Sequence, residues 1–249
     1  MKTELLTILH HNRELVGDFY FPDNDTPSPL VIFSHGYNGS GKDFILNAHL
    51  LSKHNIAAFC YDFCGGSVNA RSSMETSNMT IFTEMEDLCA VLDFLKKDPR
   101  IDENNIFLFG ASQGGFISAL VAEQRTEDIQ GLLLLYPALC IPDDWNNRFP
   151  DISDIPDSLE LWGMKLEHDF FVALHGFKTS DHIGNYPREV LVMHGSEDKV
   201  VAKAYVDKLP SIYPHAVLEL FPGEGHGFTK AGNQRVAQMT LDFIEKYKK

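Results

Sequence analysis

The sequence predicts a doubly wound α/β fold with a mostly parallel, eight-stranded sheet and an inserted cap. Three observations predict it: strand-like and helix-like segments alternate along most of the chain, one hydrophobic strand leads directly into Gly-x-Ser-x-Gly, and residues 137–187 interrupt the alternation. The 249 residues, 44% of them hydrophobic, are sufficient for one large domain with a complete core. We therefore expect a single domain over residues 1–249, with the cap at residues 137–187.

The predicted secondary structure begins with an antiparallel hairpin and continues with parallel strands. Residues 4–10 and 15–21 alternate apolar and polar side chains, which is typical of a hairpin at the edge of a sheet. The later strands are short, continuous apolar runs, as expected for strands that are buried on both faces. In order, we predict a strand at 30–34, a helix at 41–54, a strand at 56–61, a helix at 80–97, a strand at 106–109, a helix at 116–124, strands at 131–136 and 189–193, a helix at 201–209, a strand at 217–221 and a helix at 233–247.

The interrupting segment, residues 137–187, is rich in proline, aspartate and aromatic residues and has no clear hydrophobic period. It is too long for an ordinary connection in a compact domain, so we expect it to contain short helices or strands of its own. Long insertions of this kind are often functional, and we expect this one to lie over the functional site.

Ser112 is the predicted nucleophile. It stands between an apolar strand and a helical segment, so the serine lies on a sharp turn in a strained backbone conformation. Gly110 and Gly114 flank it because the strand and the helix pass too close for any side chain at those positions. The turn also leaves the amide of Gln113 at a helix N-terminus, where it can stabilise an oxyanion that forms on a substrate carbonyl.

A nucleophilic serine requires a base and a group that orients the base, and two loops at the ends of later strands supply them. His226 lies between glycines in the loop after the last strand, and we predict that it is the base. Asp198, in the loop after the preceding strand, is the predicted orienting carboxylate. Glu197 and Glu224 remain alternatives for that role. The chain order Ser112, Asp198, His226 is that of serine hydrolases with parallel sheets.

The loop after the first parallel strand should provide the second oxyanion donor, and we predict the amide of Tyr37. The same loop contains Gly36-x-x-x-x-Gly41-Lys42, which is close to a phosphate-binding loop. Asp43 follows where a hydroxyl would be required to hold magnesium, and its carboxylate would repel phosphates. We therefore expect no nucleotide cofactor.

The net charge of −14 restricts the class of partner. A strongly negative surface repels polyanions, so we expect neither nucleic acid nor an anionic membrane as a partner. A small-molecule ester is the expected substrate, and the sequence leaves open whether the chain forms a homodimer.

Targeting and redox features suggest a cytoplasmic protein. Residues 1–10 lack the apolar stretch and the cleavage site of a signal peptide, and no later run reaches the length of a membrane span. The four scattered cysteines are interpreted as reduced thiols. Cys60 and Cys64 lack the histidine or second cysteine pair that zinc requires, so no metal is expected.

Taken together, five motifs resemble the α/β-hydrolase superfamily. They are His35-Gly36-Tyr37, Asp62-Phe63-Cys64-Gly65-Gly66-Ser67, Gly110-Ala111-Ser112-Gln113-Gly114-Gly115, His194-Gly195-Ser196-Glu197-Asp198 and Gly225-His226. Within the superfamily, the Ser-Gln-Gly-Gly turn, the chain length and a cap inserted after the 131–136 strand resemble the bacterial cinnamoyl and feruloyl esterases. The resemblance implies the α/β-hydrolase fold and hydrolysis through an acyl-enzyme.

In those esterases, the cap uses an acidic residue and a tyrosine to hold the phenolic end of the substrate. The resemblance implies that Asp144 is the acidic residue. Phenylalanines stand at 170 and 171, where the resemblance would favour a tyrosine. Aromatic residues of the cap, among them Trp145 and Phe171, predict an apolar acyl or aryl pocket that excludes water from the reaction.

We therefore interpret the chain as a serine carboxylesterase without a cofactor, acting on small to medium esters. Hydroxycinnamoyl (feruloyl) esters are the substrates that the resemblance suggests. Two alternatives use the same scaffold: a serine peptidase of the prolyl oligopeptidase type and a thioesterase. A third, from another class, is a noncatalytic ligand receptor that retains the fold.

Overall fold

An eight-stranded sheet is the centre of the computed structural model, which describes residues 2–24 and 26–249. In chain order, the strands are β1 (Lys2–His10), β2 (Arg13–Phe21), β3 (Ser28–Ser34), β4 (Ala57–Tyr61), β5 (Ile101–Ala111), β6 (Gly131–Leu135), β7 (Ser158–Leu161), β8 (Met164–Glu167), β9 (Val190–Gly195) and β10 (Ala216–Phe221). The order across the sheet is β1-β2-β4-β3-β5-β6-β9-β10, and β7 pairs with β8 in a separate hairpin.

Strand direction follows the hydrophobic pattern of the sequence. The β1–β2 and β2–β4 pairs are antiparallel, and all the later pairs of the large sheet are parallel. The edge strand β1 is largely accessible, whereas β4, β6 and β9 are buried along their whole length. The predicted doubly wound, mostly parallel sheet is confirmed.

Helices cover both faces of the sheet. They are α1 (Ile45–Lys53), α2 (Ile81–Leu95), α3 (Gln113–Gln124), α4 (Ile141–Arg148), α5 (His168–Leu174), α6 (Ala204–Asp207), α7 (Leu209–Ile212) and α8 (Lys230–Tyr247). Residues of α2 and α3 share one core cluster, and residues of α1 and α8 share the cluster on the other face. Among the described residues, no helix combines the length and the apolar character that crossing a membrane requires.

Two predicted elements differ from the structure. The helix predicted at 201–209 is instead two short helices, α6 and α7. Pro210 explains the break, because proline has no N–H for the helical ladder and is accommodated only in the first turn of a helix. It is the second residue of α7. Strand β5 is longer than predicted because it begins at Ile101, which pairs with Ser28. The register then shifts, and regular pairing with β3 resumes at Ile106, where the apolar run starts.

The segment 137–187, which we interpret as the cap, contains α4, the β7–β8 hairpin and α5. The aromatic rings of α4 and α5 pack together, with the Trp145 and Phe171 centroids 4.8 Å apart. The hairpin is tied to the loop after β3, because the Tyr37 hydroxyl donates to the Leu161 carbonyl at 3.0 Å and Asn38 Nδ2 donates to the Trp162 carbonyl at 3.2 Å. The cap segment therefore rests directly on the predicted oxyanion loop.

Candidate active site

Ser112 lies on the sharp turn between β5 and α3, with φ 53° and ψ −118°. Such a conformation costs a non-glycine residue about 1–3 kcal/mol and is typical of functional sites. A Cβ at Gly110 would lie 2.2 Å from the Gly114 carbonyl oxygen, and a Cβ at Gly114 would lie 2.3 Å from the Ser34 carbonyl oxygen. The strand and the helix therefore approach so closely that only glycine fits on either side of Ser112.

Hydrogen bonds connect the three predicted triad side chains. The Ser112 Oγ lies 2.9 Å from His226 Nε2, and His226 Nδ1 lies 2.8 Å from Asp198 Oδ2. Asp198 is held in place, because its Oδ1 accepts the amides of Val200 and Val201 at 2.8 and 2.9 Å. With the proton on Nδ1, the imidazole donates to Asp198 and leaves Nε2 free to accept the serine proton.

Two other acidic residues were alternatives to Asp198 for orienting the imidazole. Glu224 instead accepts hydrogen bonds from the Thr229 amide and hydroxyl, at 2.6 and 2.5 Å, at the start of α8. Glu197 is exposed on the same loop as Asp198. The carboxylate that contacts His226 is that of Asp198.

Two aromatic residues beside this group were not predicted. The Tyr136 ring lies 4.6 Å from the His226 ring, and Tyr136 has a positive φ of 36° at the end of β6. Burial, with the carboxylates of Asp43 and Asp198, raises the pKa of Tyr136 to about 12, so its hydroxyl stays protonated. His194 Nε2 lies 3.8 Å from Asp198 Oδ2, and burial lowers the pKa of His194. The position of Tyr136 directly after a parallel strand was a signal that could have identified it.

The two predicted oxyanion donors lie beside the nucleophile. A Cβ at Gly36 would be 3.0 Å from Ser112 Cβ, which brings the following residue, Tyr37, to the serine. Gln113 is the first residue of α3. Among the hydrogen bonds of the described residues, none uses the Tyr37 or Gln113 amide as donor. Both amides are therefore free to bind a substrate oxygen.

Two cavities meet at Ser112. The cap cavity, of about 340 Å³, lies under the cap and is mostly apolar; its walls include Gln113, Ala138, Ile141, Asp144, Trp145, Leu166, Phe170 and Val201. The histidine-side cavity, of about 490 Å³, is more polar, and its walls include Asp43, Asn47, Tyr136, His226, Phe228 and Asn233. Tyr37, Ser112 and Trp162 line both cavities. A substrate bound across Ser112 would therefore have one part in each cavity.

The predicted substrate-binding residues separate into two groups. Asp144 and Trp145 line the cap cavity. Phe171 does not: it is 2% exposed and packs against Trp145 and Phe149, with ring centroids 4.8 and 5.6 Å away. Its neighbour Phe170 lines the cavity instead. Successive helical residues point about 100° apart, so only one of the two faces the cavity, and the prediction for Phe171 is corrected to Phe170.

The loop that resembles a phosphate-binding loop uses its amides within the protein. The Gly41 amide donates to Asp62 Oδ1 at 2.8 Å, and the Ser40 amide donates to Asp43 Oδ2 at 3.0 Å. These amides, which would otherwise face a phosphate, already bind carboxylates of the chain. In residues 2–24 and 26–249, no group of three or more His, Cys, Asp or Glu side chains is arranged to hold a metal ion.

The sheet order and the Ser112–His226–Asp198 arrangement at the carboxyl ends of the parallel strands define the chain as an α/β hydrolase. The predicted resemblance to that superfamily is confirmed. Within it, the chain belongs to the prolyl oligopeptidase family, which matches residues 42–249. A peptidase of this type is one of the alternatives to an esterase that the sequence leaves open.

Three similar proteins illustrate the relationship. Monoglyceride lipase of Mus musculus is 30% identical over 118 residues, which are 47% of this chain and 38% of the lipase. The α/β-hydrolase domain-containing protein WAV2 of Arabidopsis thaliana is 27% identical over 168 residues, 66% of this chain and 54% of that protein. A solved structure of Est1E from Butyrivibrio proteoclasticus with bound ferulic acid has a TM-score of 0.89 and 24% identity, and covers 97% of this chain and 98% of that one. This chain thus spans about half or less of the length of each of the two curated proteins. Its likeness to Est1E is one of fold.

Proposed function

We propose that the chain is a serine carboxylesterase that hydrolyses small to medium esters through an acyl-enzyme. The observation that supports this most is the hydrogen-bonded series from Ser112 through His226 to Asp198 at the meeting point of two cavities. A hydroxyl, an imidazole and a buried carboxylate in this order are the elements of a serine hydrolase.

The reaction would follow from the positions of these groups. Ser112 Oγ attacks the ester carbonyl carbon as its proton moves to His226 Nε2, and the amides of Tyr37 and Gln113 stabilise the oxyanion. When the intermediate collapses, the C–O bond to the alcohol breaks and the alcohol oxygen takes the proton from His226. Water then attacks the acyl-enzyme with His226 as base, releases the acid and restores Ser112.

The position of His226 suggests which cavity binds which half of the ester. The leaving alcohol must reach the proton on His226, and His226 lines only the histidine-side cavity. The acyl group would then occupy the cap cavity, whose walls include Trp145 and Phe170. An apolar cavity of this size favours a neutral, aromatic or alkyl acyl group.

Hydroxycinnamoyl esters are the substrates we propose within this class. A planar aryl acyl group would pack against Trp145 and Phe170, and the exposed carboxylate of Asp144 would accept a hydrogen bond from a phenolic hydroxyl. Est1E, which has the same fold, was solved with ferulic acid bound. Both observations favour an aromatic acyl group with a hydrogen-bond donor at its far end.

Family membership supports one competing function, a serine peptidase. A peptide substrate would require a group that binds its α-amino end, and Asp144 is a carboxylate in the cap cavity. The same side chain could therefore serve a phenol or an amine, and only substrates can separate the two functions.

A panel of substrates tests the proposal directly. Methyl ferulate, methyl cinnamate, p-nitrophenyl acetate and aminoacyl p-nitroanilides should be compared by kcat/KM with one enzyme preparation. We expect turnover of the esters, with methyl ferulate the best methyl ester, and little turnover of the anilides. A preference for the anilides over every ester would assign the chain as a peptidase instead.

Asp144→Asn tests how the phenol is recognised. An amide accepts a phenolic hydrogen bond less strongly than a carboxylate does, so KM for methyl ferulate should rise about tenfold. Methyl cinnamate lacks the hydroxyl, and its kinetics should not change. Asp143→Asn is the matched control, because Asp143 accepts the Tyr205 hydroxyl at 2.9 Å and is not part of the cap-cavity wall. Equal losses on both esters in Asp144→Asn would contradict the role in phenol binding.

A further inference from the structure

A buried carboxyl group lies directly behind the oxyanion site. Glu84, on α2, is 1% exposed, and its Oε2 accepts a hydrogen bond from Gln113 Nε2 at 2.8 Å. Gln113 is itself only 3% exposed and immediately follows the nucleophile. The side chain that Glu84 binds thus belongs to the residue whose amide is the proposed oxyanion donor.

Within the described part of the chain, no cation neutralises this carboxyl group. Among the described residues, no lysine, arginine or histidine forms an ion pair with Glu84. The cation on this side of α2 is Arg13, and its guanidinium binds Glu86 at 2.7 Å and Asp87 at 3.2 Å. Asp87, one turn further along α2, adds a second acidic group. A charged Glu84 would therefore be a buried, unpaired anion.

The groups that face Glu84 from other elements are uncharged. Glu84 and His35 both lie against Gly66: a Cβ added at Gly66 would be 3.0 Å from Glu84 Oε1 and 3.1 Å from His35 Cε1. The His35 imidazole is therefore a close neighbour of the Glu84 carboxyl group. His35 Nδ1 bonds to the Gly36 carbonyl and Nε2 accepts the Phe63 amide, which leaves the ring neutral. Two phenols, Tyr37 and Tyr61, also lie close enough to interact electrostatically with Glu84, and burial raises the pKa of each.

We propose that Glu84 is a positioning residue for the oxyanion site: its uncharged carboxyl group holds the Gln113 side chain, and its ionisation at alkaline pH inhibits hydrolysis. In the uncharged form, the carbonyl oxygen accepts the Gln113 N–H and the other oxygen carries the proton. The fixed side chain in turn fixes the first turn of α3, from which the Gln113 amide points to the substrate.

Electrostatics explain why ionisation would matter. Burial, opposed by the Gln113 hydrogen bond and reinforced by Asp87, raises the pKa of Glu84 from 4.5 to about 8. Below that pH the oxyanion forms beside a neutral group. Above it, the oxyanion would form beside a second negative charge in a poorly solvated region, and the transition state would be less stable. Because substrate binding involves no new charge, kcat should fall and KM should not.

The test is the pH dependence of ester hydrolysis, and in that respect the inference rests on the proposed function. In the unmodified protein, kcat on methyl cinnamate or p-nitrophenyl acetate, neither of which has an ionisable group, should fall about tenfold between pH 7 and pH 9.5. Glu84→Gln keeps a hydrogen-bond acceptor for Gln113 but cannot ionise, so its kcat should change less than about twofold over the same range. A flat profile in the unmodified protein, or an unchanged alkaline loss in Glu84→Gln, would overturn the proposal.

Asp87→Asn provides a matched control on the same helix. Asp87 is also buried, but it accepts the Cys64 amide at 2.8 Å and does not bond to Gln113. The alkaline loss should persist in this variant and move to lower pH, because removal of a neighbouring negative charge makes Glu84 easier to ionise. Disappearance of the loss in Asp87→Asn would assign the effect to Asp87 and contradict the inference.

A second readout does not depend on any substrate. Folded Glu84 keeps its proton up to about pH 8 and the unfolded residue loses it above about 4.5, so stability to urea should fall as pH rises through this interval. Glu84→Gln should reduce that slope, and an unchanged slope would contradict the uncharged, buried state of Glu84. The two proposals can fail separately. If the stability of the protein depends on pH in this way but no ester is hydrolysed at any pH, the proposed esterase function is refuted and the uncharged state of Glu84 stands.

Discussion

Replacing Ser112 with alanine is expected to lower kcat on p-nitrophenyl acetate by roughly 10⁴- to 10⁶-fold. The substitution removes the hydroxyl that attacks the carbonyl carbon in the proposed reaction, and His226 then has no hydroxyl to activate. The burst of p-nitrophenol that marks an acyl-enzyme should disappear as well. Stopped-flow and steady-state release of p-nitrophenol measure both effects, and far-UV circular dichroism verifies that the variant is folded.

Ser118→Ala is the matched control for this prediction. Ser118 lies on the same helix, is fully buried, and its Oγ has no hydrogen-bond partner among the described residues. Its loss should leave turnover unchanged, because the hydroxyl takes no part in the proposed reaction. If Ser112→Ala hydrolyses p-nitrophenyl acetate as fast as the unmodified protein does, the esterase proposal is contradicted. That result would favour either a different nucleophile in this chain or a noncatalytic receptor whose preparation contains a contaminating hydrolase.

The fold could be predicted because its signals are local. The parallel strands β4, β6 and β9 are buried along their whole length and therefore appear as continuous apolar runs. The candidate triad could be predicted for a related reason. Ser112 directly follows β5, and Asp198 and His226 lie in the loops that follow β9 and β10. Parallel strands bring the residues that follow them to the same edge of a sheet.

Other features depend on side-chain geometry that a single sequence does not determine. Glu197 and Asp198 are adjacent carboxylates on one loop, and only the three-dimensional course of that loop brings Asp198 to His226. Phe170 and Phe171 are also adjacent, and α5 has only seven residues, too few for a hydrophobic period to reveal which of them faces the cap cavity.

Glu84 is the clearest case of a signal that was present but not used. It lies three residues after Ile81 and four before Leu88, within the apolar face of α2 rather than on its polar face. A carboxyl group on the buried face of an amphipathic helix requires a partner or the loss of its charge. The sequence indicates that burial, but it does not identify Gln113 as the partner.

Gly114→Ala is expected to have the largest effect on stability. The added Cβ would lie 2.3 Å from the Ser34 carbonyl oxygen and 2.4 Å from that of His35. Both are backbone atoms, one at the end of β3 and one in the loop that follows it, so neither can rotate away as a side chain could. Relief requires α3 to move away from β3, and we expect a loss of about 3–5 kcal/mol, a large part of the stability of a typical domain. Urea unfolding followed by tryptophan fluorescence measures it.

Gly163→Ala separates this steric effect from the general cost of replacing a glycine. Gly163 lies at the tip of the β7–β8 hairpin with φ 78°, and a Cβ there would meet no atom within 4 Å. Its replacement adds only the strain of a left-handed conformation, about 1 kcal/mol. Gly114 has no such positive φ, so backbone conformation alone predicts a smaller loss at Gly114 than at Gly163. If Gly114→Ala unfolds at the same urea concentration as Gly163→Ala, the close contact between α3 and β3 cannot be what restricts position 114 to glycine.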